Sequence, residues 1–144
     1  MITLTNQQDL LEIAEQQVVA VVEAVFRYEE AGEPNLSVAV VDDATIQRIN
    51  NKHLGHDHPT DSLAFDYKDD PGPDGICGEV VVSAETACRE AAVRGIEPLH
   101  ELLLYVAHGV LHLLGHEDGT PSLRLAMNRR AGDILLGLGV VSDP

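Results

Sequence analysis

The sequence predicts a single α+β domain over residues 1–144, with a small mixed β-sheet of about four strands packed with about five helices. Three observations lead there. Strand-like and helix-like segments follow one another in an order that fits a sheet with helices packed on it. No internal repeat, low-complexity tract or linker divides the 144 residues, a length that suits one domain with a sizeable core. One helical segment is apolar nearly all round, and a helix without a polar face belongs in the middle of a fold.

The elements read in order as follows. Ile2 to Thr5 alternates weakly, as a short strand does. Gln7 to about Glu30 has the clearest helical period: Leu11, Ala14, Val18, Val22 and Val25 share one stripe, while Glu12, Gln16, Glu23 and Arg27 face away. Ala31-Gly32-Glu33-Pro34-Asn35 ends that helix with loop chemistry. Ser37 to Val41 is a β-branched run that reads as a buried strand. Asp42-Asp43 caps a second helix, about Ala44 to Lys52, because a carboxylate accepts the free amide protons of a first turn. His53 to Asp61 shows neither period. Leu63 to Tyr67 is a short strand, Lys68 to Gly75 an acidic loop rich in proline and glycine, and Glu79 to Val82 another strand. Ser83 caps a third helix, Ala84 to Arg94, which Gly95 ends. Pro98 suits the first turn of a fourth helix, Pro98 to Leu114, which carries Leu102, Leu103, Leu104, Val106, Val110, Leu111, Leu113 and Leu114. Thr120-Pro121 opens a last helix with a stripe of Leu123, Met127, Ile134, Leu135 and Leu138.

Composition narrows the function classes. There is no Trp, with two Phe and three Tyr, so the core is aliphatic. No apolar run is long enough for a membrane span, and the N-terminus lacks the pattern of a secretory signal; a cytoplasmic location is expected. Cys77 and Cys88, ten residues apart, match no common zinc-knuckle spacing and are expected to be ordinary thiols. The formal charge is −15, from nine Lys plus Arg against 24 Asp plus Glu. Such a chain repels polyanions at long range and offers no broad basic face for nonspecific nucleic-acid binding, which leaves room for a local basic cleft or a larger partner.

The chemistry concentrates in H-G-V-L-H-L-L-G-H-E-D, residues 108 to 118. His108 and His112 are four apart, so they stand one above the other on one helix face and can share one metal ion. They are the strongly polar side chains between Leu102 and Leu114, and two buried imidazoles cost stability unless each finds a partner. Gly115 can adopt the left-handed conformation and fold the chain back, which brings a residue three further on, Asp118, towards the histidines. His116 is the competing third donor: a better nitrogen ligand, but less suited to turning back. Two imidazoles and a carboxylate leave the fourth position of a zinc ion open, as a catalytic zinc requires. Gly109 stands where a zinc peptidase of the H-E-x-x-H type has its glutamate base, so peptide hydrolysis loses its best support; a glycine there is expected to remove bulk beside the metal and admit a larger substrate.

Residues 108–118 resemble the signature H-G-x-L-H-L-x-G-Y-D-H of the YbeY family, the bacterial rRNA maturation endoribonucleases. Pro59-Thr60-Asp61-Ser62-Leu63-Ala64-Phe65 is similar to that family's P-T-D-V-L-S-F, and Gly78-Glu79-Val80-Val81-Val82-Ser83-Ala84-Glu85-Thr86 to its G-D-I-V-I-S-x-E-T. The blocks come in family order, from about Val38 to Asp118. The resemblance implies a small α+β fold holding one zinc ion. It also implies a single-strand endoribonuclease that trims the 3′ end of small-subunit rRNA and serves ribosome quality control, with single-stranded rRNA as substrate and the ribosome or its proteins as partners. Carried over by position, His108 and His112 take the first two ligand places and the third family histidine falls on Asp118.

Two departures stand out. An aspartate as third ligand lowers the site's charge by one and makes the ion a weaker Lewis acid. The family's arginine before P-T-D, which would face phosphate, aligns with Leu54, and the loop His53-Leu54-Gly55-His56-Asp57-His58 carries histidines instead; one of these, Lys52 or Arg48 are the substitutes at hand. A zinc ion acidifies water and offsets charge at a phosphodiester, with Asp61 or Glu117 as candidates to assist proton transfer. Two alternatives are a zinc hydrolase of peptides or small molecules, and a noncatalytic ribosome-associated adaptor that keeps its metal for folding.

Overall fold

Four short strands, β1 (Ile2–Asn6), β2 (Leu36–Val41), β3 (Ser62–Asp66) and β4 (Gly78–Ser83), pair edge to edge in the order β1-β2-β4-β3. The structure is a computed structural model, and it describes residues 1–54, 61–71 and 75–140, without the side chains of His53 and Leu54. The sheet is mixed: β1 with β2 and β2 with β4 are parallel, whereas β3 runs antiparallel to β4. The described helices are α1 (Glu15–Tyr28), α2 (Asp43–Leu54), α3 (Ala84–Arg94), α4 (Pro98–Leu113) and α5 (Pro121–Gly137). The α+β class, the strand and helix numbers and the central place of the fourth helix are as the sequence predicts. None of the described helices is long and apolar enough to cross a membrane.

Alternation along the two central strands explains the layering. Val38 pairs with Val80 and Val40 with Val82, and all four join the main core with α1, α4 and α5. Val41 and Val81 point to the other face, where they pack with Ile46 of α2, Leu63 and, half-buried, Ala39, Ile49 and Phe65. Strands buried on both faces need apolar residues at every position, which is why Ser37–Val41 lacks a polar alternation.

Helix α4 occupies the centre and meets α1, α3, α5, β3 and β4. Its close seat on β4 depends on Gly109. A Cβ at that position would stand 2.4 Å from Val80 Cγ1 and 3.2 Å from Cγ2, inside van der Waals contact, and Val80 is fully buried. The missing side chain at 109 therefore serves helix-on-strand packing, not the room for substrate that the sequence suggests.

Other expectations are corrected locally. The first helix begins at Glu15, eight residues later than its period suggests. Gln8 organises the preceding segment: its Oε1 accepts the amide protons of Leu10 and Leu11 at 2.8 Å, and its Nε2 donates to the Leu11 carbonyl at 2.9 Å. These bonds take up backbone groups that a helix would need. Leu11 still packs on the core although it is not helical, whereas Ala14 is exposed. Of the Asp pair before α2, Asp42 is the cap, accepting from Thr45 N at 2.8 Å. Asp43 instead ties α2 to α3, accepting from Ser83 Oγ at 2.6 Å, Thr86 Oγ1 at 2.7 Å and Arg89 Nη1 at 3.0 Å. Ser83 caps α3 as expected, and Gly95 ends it in the left-handed region at φ 72°. In α5 the buried residues are Met127, Ala131, Ile134 and Leu135, while Leu123 and Leu138 are exposed. Cys77 and Cys88 are free thiols.

The Gly109 contact yields a test. Gly109→Ala should lower stability to urea by about 1–3 kcal/mol through overpacking, even though alanine is about 1 kcal/mol the better helix former. Trimming the opposing side chain with Val80→Ala should make the double variant less destabilised than the sum of the single changes. Strict additivity would contradict the contact.

Candidate functional site

The aliphatic helix α4 carries His108 and His112 one turn apart on one face. The Nε2 atom of His108 is buried and has no hydrogen-bond partner, although the Asn128 side chain on α5 hydrogen bonds the ring. Burial pushes the His108 pKa below the ordinary histidine value; the charges of Asp61 and Asp118 act against it and that of His112 with it. The imidazole is therefore neutral near pH 7, the form in which histidine binds a metal. A buried ring nitrogen left without a partner is costly, on the order of 1–3 kcal/mol.

The end of α4 is a Schellman turn. Gly115 N–H donates to the His112 carbonyl and His116 N–H to the Leu111 carbonyl, both at 3.0 Å, with Gly115 at φ 99°. Only a residue tolerant of positive φ closes this 6→1 pattern without strain. The reversal returns the chain past the helix end, and Asp118 Oδ2 comes to 3.3 Å from His112 Nε2. Both side chains remain partly open to solvent, at 32% and 48% exposure. Thr120 then caps α5 by accepting from Leu123 N at 3.1 Å.

His116 is engaged elsewhere. Its Nε2 bonds Oε1 of Glu29, the C-cap of α1, whose Oε2 accepts from Arg130 Nη1 of α5 at 2.9 Å. The Arg130 guanidinium lies 5.9 Å from the Tyr28 ring centroid. One carboxylate thus ties the C-terminal ends of α1 and α4 to the middle of α5, and the ring of His116, the alternative third donor, is turned to α1 and not to His112. Asp61 is exposed and its carbonyl accepts Ser83 N–H at 3.2 Å. Its charge acts on His108, Glu101 and Tyr105, so it lies along the same side of α4. Glu117 is exposed and borders an open cleft of about 270 Å³ with Leu123, Ala126 and Met127; among the described residues no hydrogen bond or ion pair joins it to His108 or His112.

No group of three His, Cys, Asp or Glu side chains among the described residues is assembled so that it could hold a metal ion. Two features nevertheless fit a cation: the orphaned Nε2 of His108, and the imidazole–carboxylate pair one turn further on. The side chains of His53 and Leu54, and all of Gly55 to Thr60 with His56 and His58, lie outside the described residues. Arg48 folds back along its own helix, donating to Thr45 Oγ1 at 3.2 Å, and Lys52 is exposed on α2.

Sequence reasoning missed Asn128, Glu29 and Glu101. Glu101 is buried, accepts from Tyr105 Oη at 3.0 Å and pairs with Arg94. Burial raises its pKa despite the Arg94 charge. The spacing of Glu101 and Tyr105 was the available signal. Glu29 and Asn128 meet their partners across helices, where spacing is silent.

A mixed four-stranded sheet around a central helix, with two stacked histidines and a carboxylate folded back beside them, defines a small α+β protein with a histidine–carboxylate site. The model of the family Endoribonuclease YbeY matches residues 3–139, and the chain belongs to that family of RNA-cleaving enzymes. An Endoribonuclease YbeY of Rhodopirellula baltica is 40% identical over 121 residues, covering 83% of this chain and 61% of the relative. That of Carboxydothermus hydrogenoformans is 34% identical over 142 residues, covering 97% and 99%. That of Syntrophotalea carbinolica is 35% identical over 141 residues, covering 93% of each. The solution structure of TM1509 from Thermotoga maritima has the same fold, with a TM-score of 0.60 at 22% identity, over 96% of this chain and 92% of that one.

The Glu29 clasp has a pH signature. Burial would raise this carboxyl's pKa, but the bonds and charges of His116 and Arg130 together bring it below the ordinary value of 4.5. A lowered folded pKa adds stability that is present above the unfolded value and lost as pH falls through the folded one. Glu29→Gln should therefore cost about 1–3 kcal/mol at neutral pH, and urea titrations should show its gap to the wild type closing as pH drops below about 4. A gap that stays constant across that range would refute the clasp.

Proposed function

We propose that the protein is a zinc-dependent, single-strand-specific endoribonuclease of rRNA, acting in the cytoplasm in small-subunit 3′-end maturation and ribosome quality control. His108, His112 and Asp118 would hold one zinc ion per chain. The observation that carries this reading is the unpartnered, buried Nε2 of His108 beside the His112–Asp118 pair, in a member of an endoribonuclease family.

The side chains divide the work. Burial excludes water from the inner side of His108 and keeps its ring neutral. Asn128 restrains the orientation of that ring, as an outer partner of a ligating histidine does. His112 and Asp118, nearer the solvent, leave an open side to the site from which a phosphodiester can approach. When bound, zinc would supply acidified water and charge neutralisation at the scissile phosphate. Asp61, whose charge acts on His108, would be the carboxylate to take or return a proton, with Glu117, at the cleft beyond Gly115, as the alternative.

Metal analysis of the purified chain should give about one zinc per chain, and single-stranded RNA should be cut in a chelator-sensitive way while casein is not. His112→Ala should weaken zinc binding by more than about 100-fold and remove cleavage. Full zinc content with full RNA cleavage in that variant would overturn the assignment. Cleavage of casein instead of RNA would favour a peptide hydrolase, and four protein donors in X-ray absorption would favour an adaptor that uses its metal for folding.

A further inference from the structure

We infer that Arg124 is the phosphate-holding residue of this site, its guanidinium gripping the backbone of single-stranded RNA beside Asp118. The inference rests on the endoribonuclease reading and adds to it the residue that binds the substrate's charge.

The placement comes from two contacts one turn apart. Arg124 and Asn128 of α5 are four residues apart and share a helix face. Asn128 reaches the His108 ring, and Arg124 Nη1 donates to the main-chain carbonyl of Asp118 at 3.4 Å. That face of α5 therefore runs along the candidate site from its buried histidine to its returning loop, with the guanidinium at the solvent end. Arg124 is exposed, and its long bond to a carbonyl leaves the other N–H donors of the fork for a phosphate.

Its charge is also free to act. Lys68, Arg89, Arg94 and Arg130 are each paired with a carboxylate, and Arg48 rests on its own helix. Arg124 meets a neutral carbonyl. In a chain of net charge −15, a polyanion is repelled at long range, so binding needs a local, uncompensated cation within contact distance of the phosphate. Among the described residues Arg124 is the basic side chain in hydrogen-bond contact with the loop that carries Asp118.

The test measures binding of a labelled single-stranded RNA oligonucleotide by fluorescence anisotropy across a salt series, with cleavage kinetics and zinc content on the same zinc-loaded preparations. Arg124→Gln should weaken binding about tenfold and reduce the slope of log K against log salt by about 0.7, the value for one phosphate contact on a single strand. Its effect should fall on KM more than on kcat, with zinc content and melting temperature unchanged. Arg124→Lys should restore the salt slope but only part of the affinity, since an ammonium lacks the fork. Arg129→Gln, one residue past Asn128 and off that face, should behave as wild type. An Arg124→Gln variant with wild-type affinity and salt slope overturns the inference while leaving the nuclease reading intact. RNA that binds through Arg124 but is never cut keeps the inference and sinks the nuclease. A wild type that neither binds nor cuts RNA overturns both.

Discussion

The close approach of α4 to β4 at Gly109 and Val80 is the constraint on which the rest depends. A helix with leucine and valine on every side lowers its free energy only by being enclosed, and enclosure requires that something stand against each face. Four elements do so with interlocking side chains, but on the β4 side the fit is closer than any side chain at 109 permits. His108, the preceding residue on the same enclosed helix, has a buried Nε2 without a hydrogen-bond partner. The apolar surroundings that stabilise the helix are what make the histidine costly, so packing and chemistry are consequences of one geometry.

The loop after α4 inherits its position from both ends. On one side the Schellman turn at Gly115 sets the direction of return. On the other, Thr120 fixes the start of α5. Between them His116 is anchored through Glu29 to α1 and through Arg130 to α5. A carboxylate held at both ends of its loop meets His112 with less conformational entropy left to lose than one on a free segment. The glutamate is well suited to this anchoring: it is largely shielded, and its two oxygens meet the His116 ring past α4 and the Arg130 guanidinium of α5, which no single bond of the turn could replace.

What was legible in the sequence follows from the range of the interactions. Ser83, Gly95, Pro98 and Thr120 act within one helical turn, and their caps and stops stand where composition puts them. The apolar ring around α4 is a property of the helix alone, so its central place was readable before any packing was known. The eight-residue error at the start of α1 has the opposite character: Leu11 does reach the core, satisfying the stripe, but Gln8 satisfies the backbone locally and the helix never extends that far. In the site, the His108–His112 spacing and the Gly115 reversal were legible because they lie within eleven residues. The commitment of His116 to Glu29, 87 positions away, and the reach of Asn128 were not, since no periodicity couples α1 or α5 to the end of α4. Gly109 shows the same limit: the residue was noticed, but whether an absent side chain serves a substrate or a strand depends on what lies across from it.

Charge gives the site its sense. With His108 neutral, Asp61 and Asp118 leave two negative charges acting on that ring, within a chain already at −15. Such a pocket repels a phosphodiester. A divalent cation of charge about +2 would cancel those two carboxylates and no more, bringing the pocket near neutrality without making it attractive. With Asp118 as the proposed third donor, a carboxylate in place of a neutral imidazole would lower the local charge by one unit, which something else must return. The returning charge has to lie within a Debye length, about 8 Å at physiological salt, because a chain of net charge −15 repels a polyanion at longer range. Arg124, hydrogen bonded to the main chain of the same aspartate, meets that requirement. On the proposed assignment, the acidic donor and the arginine beside it would be two halves of one electrostatic arrangement, with the net charge of −15 opposing RNA elsewhere.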